Sequence, residues 1–262
     1  MMADLVAEVG GLLPPGEFVD GVDGGDGPVL WVSAGPTTVS RWGRMLEEHP
    51  RSGLWPLLLD TEVPGETGRR PWNDGELRPG TASRPDLYDP GRLMARWWDE
   101  HLAEEAYPGT TAPFGAVWPG PAPRGVRRES PEEAAAAVAR EVLARRPHCP
   151  LGLVAAESGA EALALLGWDG VADREDDTGA YAAVLASWED RFGARLVSAD
   201  ASELVVSVAA PPPTEQAALR VAAEHFAFCP DNLWQGSEGT LPRYAATLVN
   251  SRTWTFWWDR WR

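Results

Sequence analysis

Residues 214–259, TEQAALRVAAEHFAFCPDNLWQGSEGTLPRYAATLVNSRTWTFWWD, constrain the fold more than any other part of the 262-residue chain. Thr214 reads as an N-cap, and Ala218, Val221, Ala222 and His225 follow on one helical stripe, widened by Leu219 and Phe226. The Cys229-Pro230-Asp231 turn breaks that helix. Thr240 then caps another, in which Leu241, Tyr244, Ala245, Leu248 and Val249 recur at helical spacing. A strand closes the stretch, with Trp254, Phe256 and Trp258 on one face and Thr255, Trp257 and Asp259 on the other. Aromatic residues on both faces predict a central strand, covered from each side.

Upstream, short apolar runs alternate with amphipathic segments. Residues 29–33 (VLWVS) read as a buried strand, followed by a helix capped at Thr37 or Thr38. That helix carries Val39, Trp42 and Leu46 on one face, and Pro50 is expected to stop it. Residues 54–59 (LWPLLL) are the next strand, which Pro56 directs toward a sheet edge or a bulge. Strand, helix, strand predicts a βαβ unit with a parallel pair. Residues 60–88 read as a long loop. Asp89-Pro90 opens a helix bearing Leu93, Met94, Trp97, Trp98 and Leu102.

The run PGTTAPFGAVWPGPAPRG sets a boundary near residue 120. Beyond it, Ser130-Pro131-Glu132-Glu133 is a capping box for an alanine-rich helix that ends at Arg145-Arg146. Residues 151–155 read as a strand, GAEALALLGW as a short helix and DGVADREDD as an acidic loop. Thr178 begins a helix with Tyr181, Val184, Leu185, Trp188 and Phe192 on one stripe, stopped by Gly193. Residues 195–199 and 204–209 then form an antiparallel pair. The expected fold is α/β or α+β, a mixed sheet flanked by helices. It is organised as an N-terminal section with the βαβ unit (1–120), a linker and alanine-rich helix (121–149), and a C-terminal domain (150–262).

Composition narrows the function classes. The formal charge is −16, and all 23 basic residues are arginine. An acidic surface repels phosphate backbones, which disfavours nucleic acid as a partner. No apolar run approaches the ~18 residues of a membrane helix. The start, MMADLVAEVGGLLPPG, has no basic segment ahead of its apolar residues, so a secretory signal is not expected. Two cysteines are too few for a disulfide framework, and a cytoplasmic location is expected. The 14 tryptophans outnumber 6 phenylalanines and 4 tyrosines, which suits both core packing and contact surfaces.

Chemistry is harder to place. The chain has no Walker loop, no G-x-G-x-x-G after a strand, no H-E-x-x-H and no G-x-S-x-G. His225 and Cys229, four apart on a helix, together with the adjacent His148-Cys149 pair, are of a type that binds zinc, but the adjacent pair lacks the usual ligand spacing. Cys229 beside His225 also has the makings of a nucleophile and base, set against ordinary packed side chains. Asp60, Asp231, Glu238 and Asp259 fall at strand ends or in the turn after a helix. There they would serve acid-base or metal chemistry, cap helices or pair with arginines, and Asp231 is read as a cap of its own turn. Trp234, Gln235 and Gly236 are candidate pocket walls.

The runs TGAYAAVLASWEDRFGARLV, LVVSVAAPP, AAEHFAFCPDNLWQGSEGTL and TWTFWWD resemble the bacterial DUF4253 family, a domain of unknown function common in actinomycetes. The resemblance covers residues 150–259, and the upstream GLWPLLLD and RRPWNDGEL are similar to its longer members. Some relatives carry an Asn-x-Cys-Pro run where this chain has Asp169-Gly170 after Gly167-Trp168, so a cysteine role there does not carry over. The family implies no activity, substrate or cofactor. The function expected is therefore a non-enzymatic cytoplasmic binding protein that engages a protein partner, in one form an immunity or antitoxin protein. The alternative is an enzyme or small-ligand binder with a pocket around Cys229-Pro230-Asp231. The candidate residues are His225, Cys229, Asp231, Trp234, Gln235, Trp257 and Asp259, with no catalytic, cofactor or metal role assigned.

Overall fold

A computed structural model describes residues 2–22, 27–60, 72, 77–104, 109–168, 170 and 177–259. Residues 23–26 and parts of two expected loops, 61–71 with 73–76 and 169 with 171–176, lie outside the described residues. Among the described residues, seven strands form one mixed sheet: β1 (Gly16–Asp20), β2 (Pro28–Pro36), β3 (Leu54–Leu58), β4 (Pro150–Ala155), β5 (Ala194–Ala199), β6 (Glu203–Val208) and β7 (Thr253–Trp257). Their order across the sheet is β1-β2-β4-β3-β5-β6-β7. All neighbours are antiparallel except β3 and β5. The helices are α1 (Met2–Glu8), α2 (Val39–Ser52), α3 (Pro90–Glu104), α4 (Pro131–Arg145), α5 (Gly159–Leu166), α6 (Thr178–Phe192), α7 (Glu215–Phe228), α8 (Asp231–Trp234) and α9 (Leu241–Leu248). The α/β fold with a flanked mixed sheet is as the sequence leads one to expect.

Local signals set the helix ends. Ser130 and Glu133 close the capping box of α4, with Pro131 in its first turn. Thr214 accepts from the Ala217 N–H at the start of α7, and Gly193 ends α6 in the left-handed region at φ 60°. One boundary differs from the sequence reading. Helix α2 continues through Pro50 and stops at Gly53 (φ 66°), whose N–H closes onto the His49 carbonyl. A proline in the last turn removes a single backbone donor, so the helix survives it. Helix α6 is capped by Asp177, while the hydroxyl of Thr178 donates to the Trp168 carbonyl.

Helices cover both sides of the sheet. Arg195 reaches Glu132 of α4, whereas its neighbour Leu196 lies under α5, where a Cβ on Gly159 would come within 2.8 Å of the leucine Cβ. Adjacent strand residues point to opposite faces, so α4 and α5 flank opposite sides. Cross-strand register continues the Leu196 face through Val206 to Trp254. That face packs against Trp188 and His225 of α6 and α7.

Three topological expectations are corrected. β2 and β3 do run parallel, but β4 lies between them, antiparallel to both, so they are not a paired βαβ unit. β3 is an interior strand, buried along its whole length despite Pro56. It tolerates the proline because its ladder toward β5 consists of one register pair, Leu58↔Ser198. Side chains supply the rest of that seam: the Trp55 indole donates to the Leu196 carbonyl at 3.1 Å and Ser198 Oγ to the Leu58 carbonyl at 2.8 Å. Finally, β7 is an edge strand, not a central one. Trp254, Phe256 and Trp258 are buried, but Thr255 and Trp257 on the other face are exposed. β4 enters the sheet between two strands from before residue 120, so one sheet is shared by both sides of the expected boundary.

Candidate functional site

The Cys-Pro-Asp turn is built as a brace for the edge strand. Asn232, at the start of α8, lies beside β7, and its carboxamide acts as a surrogate peptide group. Its Nδ2 donates to the Thr255 carbonyl at 2.8 Å, and its Oδ1 accepts the Trp257 N–H at 3.2 Å. Nδ2 also donates to the Tyr244 hydroxyl at 3.0 Å, and that hydroxyl lies 3.0 Å from His225 Nδ1. The hydroxyl has one proton and two lone pairs, so it pairs with Nδ1 in either neutral tautomer of the ring while still accepting from Asn232. His225 is fully buried among Trp188, Trp254 and Phe256, and burial pushes its pKa down to about 3. It is a neutral core histidine.

Cys229 is buried, and its thiol donates to the Trp257 carbonyl at 3.0 Å, the environment of a structural rather than a reactive cysteine. Asp231, read from sequence as a cap of its own turn, accepts the N–H of Asp259, 28 residues further on, at 3.1 Å. Gln235 donates to the carboxylate of Asp259 at 3.0 Å. Trp234 packs edge-on against His101 and Phe226. The structure thus gathers His225, Cys229, Asp231, Gln235, Trp257 and Asp259 around β7 and directs Trp234 toward α3 and α7. Asn232, which sequence reasoning passed over, is the hub.

A second constellation sits where several strands end, and sheet register dictates it. The antiparallel pairing of β3 with β4 ends at Leu58↔Leu151. Two further steps along that register set Asp60 opposite Cys149. The parallel pair Leu58↔Ser198 likewise sets Asp60 beside Asp200. His148 Nε2 lies 3.0 Å from Asp60 Oδ1. Arg146, the C-cap of α4, lies 3.4 Å from Asp60 Oδ2, 3.5 Å from Asp200 and 2.5 Å from Glu203. One ligand atom each from Asp60, His148 and Cys149 lie within 4.8 Å of one another, the one such group of His, Cys, Asp or Glu among the described residues.

Burial governs the ionisation of this cluster. Desolvation, reinforced by Asp60, pushes the Cys149 thiol up to about 12. Burial likewise lifts Asp200 to about 6, opposed by hydrogen bonds from the backbone N–H groups of Ser202 and Glu203. The two histidine–cysteine pairs weighed together from sequence do not converge. His148-Cys149 belongs to the strand ends, and His225 and Cys229 to the β7 brace.

An open cleft of about 610 Å³ lies elsewhere, between the N-terminal ends of α3 and α5 and the side of α6. Arg84 there is already engaged by Asp86, and the Glu157 N–H by Glu161.

No curated protein and no solved structure matches the chain. A family model does, over residues 150–259, which contribute β4 to β7 and the brace, while Asp60, Arg146, His148 and Cys149 precede them. The chain thus carries, over residues 150–259, a DUF4253 domain, a domain of unknown function.

Proposed function

We propose that the protein works by binding another protein, a basic partner that docks at the sheet corner around Trp257. The observation that carries this reading is Trp257 itself, 40% exposed on the uncovered face of an edge strand. Tryptophan is enriched at the energetic centres of interfaces because it offers a large rigid surface at small entropic cost. Register sets Glu203 directly across from Trp257, and Asp259, two residues beyond the strand, presents a carboxylate that accepts from Gln235. Together with the net charge of −16, these acids favour a positively charged partner and speed its approach. Asn232 occupies the outer hydrogen bonds of β7 at Thr255 and Trp257, so contact would be through side chains rather than an added strand.

Two free, buried thiols suit a reducing compartment, which supports a cytoplasmic site of action. None of the described helices is long and apolar enough to cross a membrane. Immunity or antitoxin action against a basic toxin is one form of this reading. A ligand pocket at the Cys229 turn has less support, because its polar side chains are engaged with one another and with β7.

The test compares tagged wild-type protein with Trp257→Ala as bait in host lysate at low and high salt. Support would be a stoichiometric basic protein held by the wild type at low salt, released at high salt and absent from the variant. Equal capture by the variant, or capture indifferent to salt, would contradict the reading. Trp257 is already partly exposed, so its loss should cost only about 1 kcal/mol of stability.

A further inference from the structure

We infer that Asp60, His148 and Cys149 form a zinc-binding site at the ends of strands β3 and β4. Imidazole nitrogen, thiolate sulfur and carboxylate oxygen are the donor types that zinc takes, and three protein ligands leave one tetrahedral position for an outside group. Tetrahedral zinc with bonds of about 2.0–2.3 Å holds its ligand atoms about 3.3–3.8 Å apart. The three atoms, already within 4.8 Å of one another, need to close by no more than about 1.5 Å, within reach of side-chain rotation.

The surroundings fit a cation. Asp60, Asp200 and Glu203 outnumber the single guanidinium of Arg146, and Arg146 is placed as a supporting residue. It contacts Asp60 Oδ2 at 3.4 Å, while the oxygen facing His148 is Oδ1. Arg146 thus backs one carboxylate oxygen while the other faces His148, the side on which a metal would be shared, as outer partners commonly orient metal ligands. His148 Nε2, now 3.0 Å from Asp60, becomes a donor to the metal once the ring hydrogen moves to Nδ1. The His148 side chain is 36% exposed, which gives an ion a path in from solvent.

The segment behind Cys149 is pinned to β2. The Thr37 N–H donates to the Cys149 carbonyl at 2.9 Å, and Ser33 Oγ accepts the Leu151 N–H at 2.9 Å. The Thr37 hydroxyl is buried and without a hydrogen-bond partner, at the end of strand β2 that adjoins the same cysteine. The site lies at the carboxyl ends of β2, β3 and β5, which with β7 run in one direction, and the carboxyl ends of co-directional strands are where open α/β sheets bind their ligands. A dication next to Cys149 would bind the thiolate form, releasing the proton to solvent. The inference is independent of the partner reading, since no residue of the triad lies on β7.

The test uses the full chain, stripped with a chelator and titrated with Co²⁺ alone, then with Zn²⁺ as competitor. One Co²⁺ per chain is expected, with a thiolate-to-cobalt charge-transfer band in the near ultraviolet that Zn²⁺ abolishes. Cys149→Ser should remove the band. His148→Gln, at a partly exposed position that leaves the core intact, should weaken binding at least ~10-fold. Failure to bind at one equivalent, a band that persists in Cys149→Ser, or wild-type affinity in His148→Gln would each overturn the site. Should Cys149→Ser fail to fold by near-ultraviolet circular dichroism, His148→Gln and Asp60→Asn decide the matter.

Discussion

The carboxamide of Asn232 does for strand β7 what a neighbouring strand would do, donating to one backbone carbonyl and accepting from one N–H two residues along. Its link to the Tyr244 hydroxyl is buried at the tyrosine end, while its bonds to the strand are open to water. Asn232→Ala should therefore cost about 1–3 kcal/mol, because water can replace the strand contacts but not the buried one. Chemical denaturation measures this, and a loss below ~0.5 kcal/mol would show that the brace is decorative. His225 makes a pH-dependent prediction. Its folded pKa, about 3, lies below its ordinary 6.5, so protons bind preferentially to the unfolded chain. Its contribution is complete above pH 6.5 and declines as pH falls toward 3, by about 1.4 kcal/mol per unit. Asp200 acts in the opposite sense, because a folded pKa raised from 3.8 to about 6 adds stability as pH falls through that window. Urea unfolding of His225→Gln between pH 7 and 4.5 should show a shallower acid decline than wild type, by close to one proton. Parallel slopes would contradict the neutral, buried assignment.

Among the elements, what the sequence made legible was local and what it hid was pairing. The capping box of α4, the stripe of α6 and the alternation of β7 depend on residues within a few positions of each other, and all three are present. The insertion of β4 between β2 and β3 depends on segments ~100 residues apart, and no local pattern encodes it. The same holds for the strand-end cluster. His148-Cys149 and Asp60 both stand out as residue types, yet only the register of β3 against β4 brings them together. Glu224 is a further case, a fully buried acid on α7 that apolar-stripe reasoning skips. It accepts two hydrogen bonds from Arg191, one from the Trp188 indole and one from the Ala122 N–H, tying α6, α7 and the segment before α4 together. Glu224→Gln would leave Arg191 charged and uncompensated at this seam, so a loss of about 3–5 kcal/mol is expected. A melting temperature within a degree or two of wild type would contradict that role.

At the scale of the whole molecule, one sheet runs from β1 to β7, and its functional candidates gather at one end. Glu203 links them: it faces Trp257 across β6 and β7 and holds Arg146, which in turn contacts Asp60. A tryptophan contact and a metal-ready triad thus share a corner in a chain of net charge −16, where attraction of cations and of basic proteins has a common electrostatic origin. The central claim is that this corner binds a basic partner, with charge setting the approach and Trp257 the hold. Surface plasmon resonance on the captured partner separates the two. Between about 50 and 300 mM salt, the association rate should fall by roughly tenfold or more while dissociation changes little. Trp257→Ala should leave association nearly unchanged and speed dissociation at least ~10-fold. An association rate indifferent to salt, together with wild-type dissociation from the variant, would contradict the account.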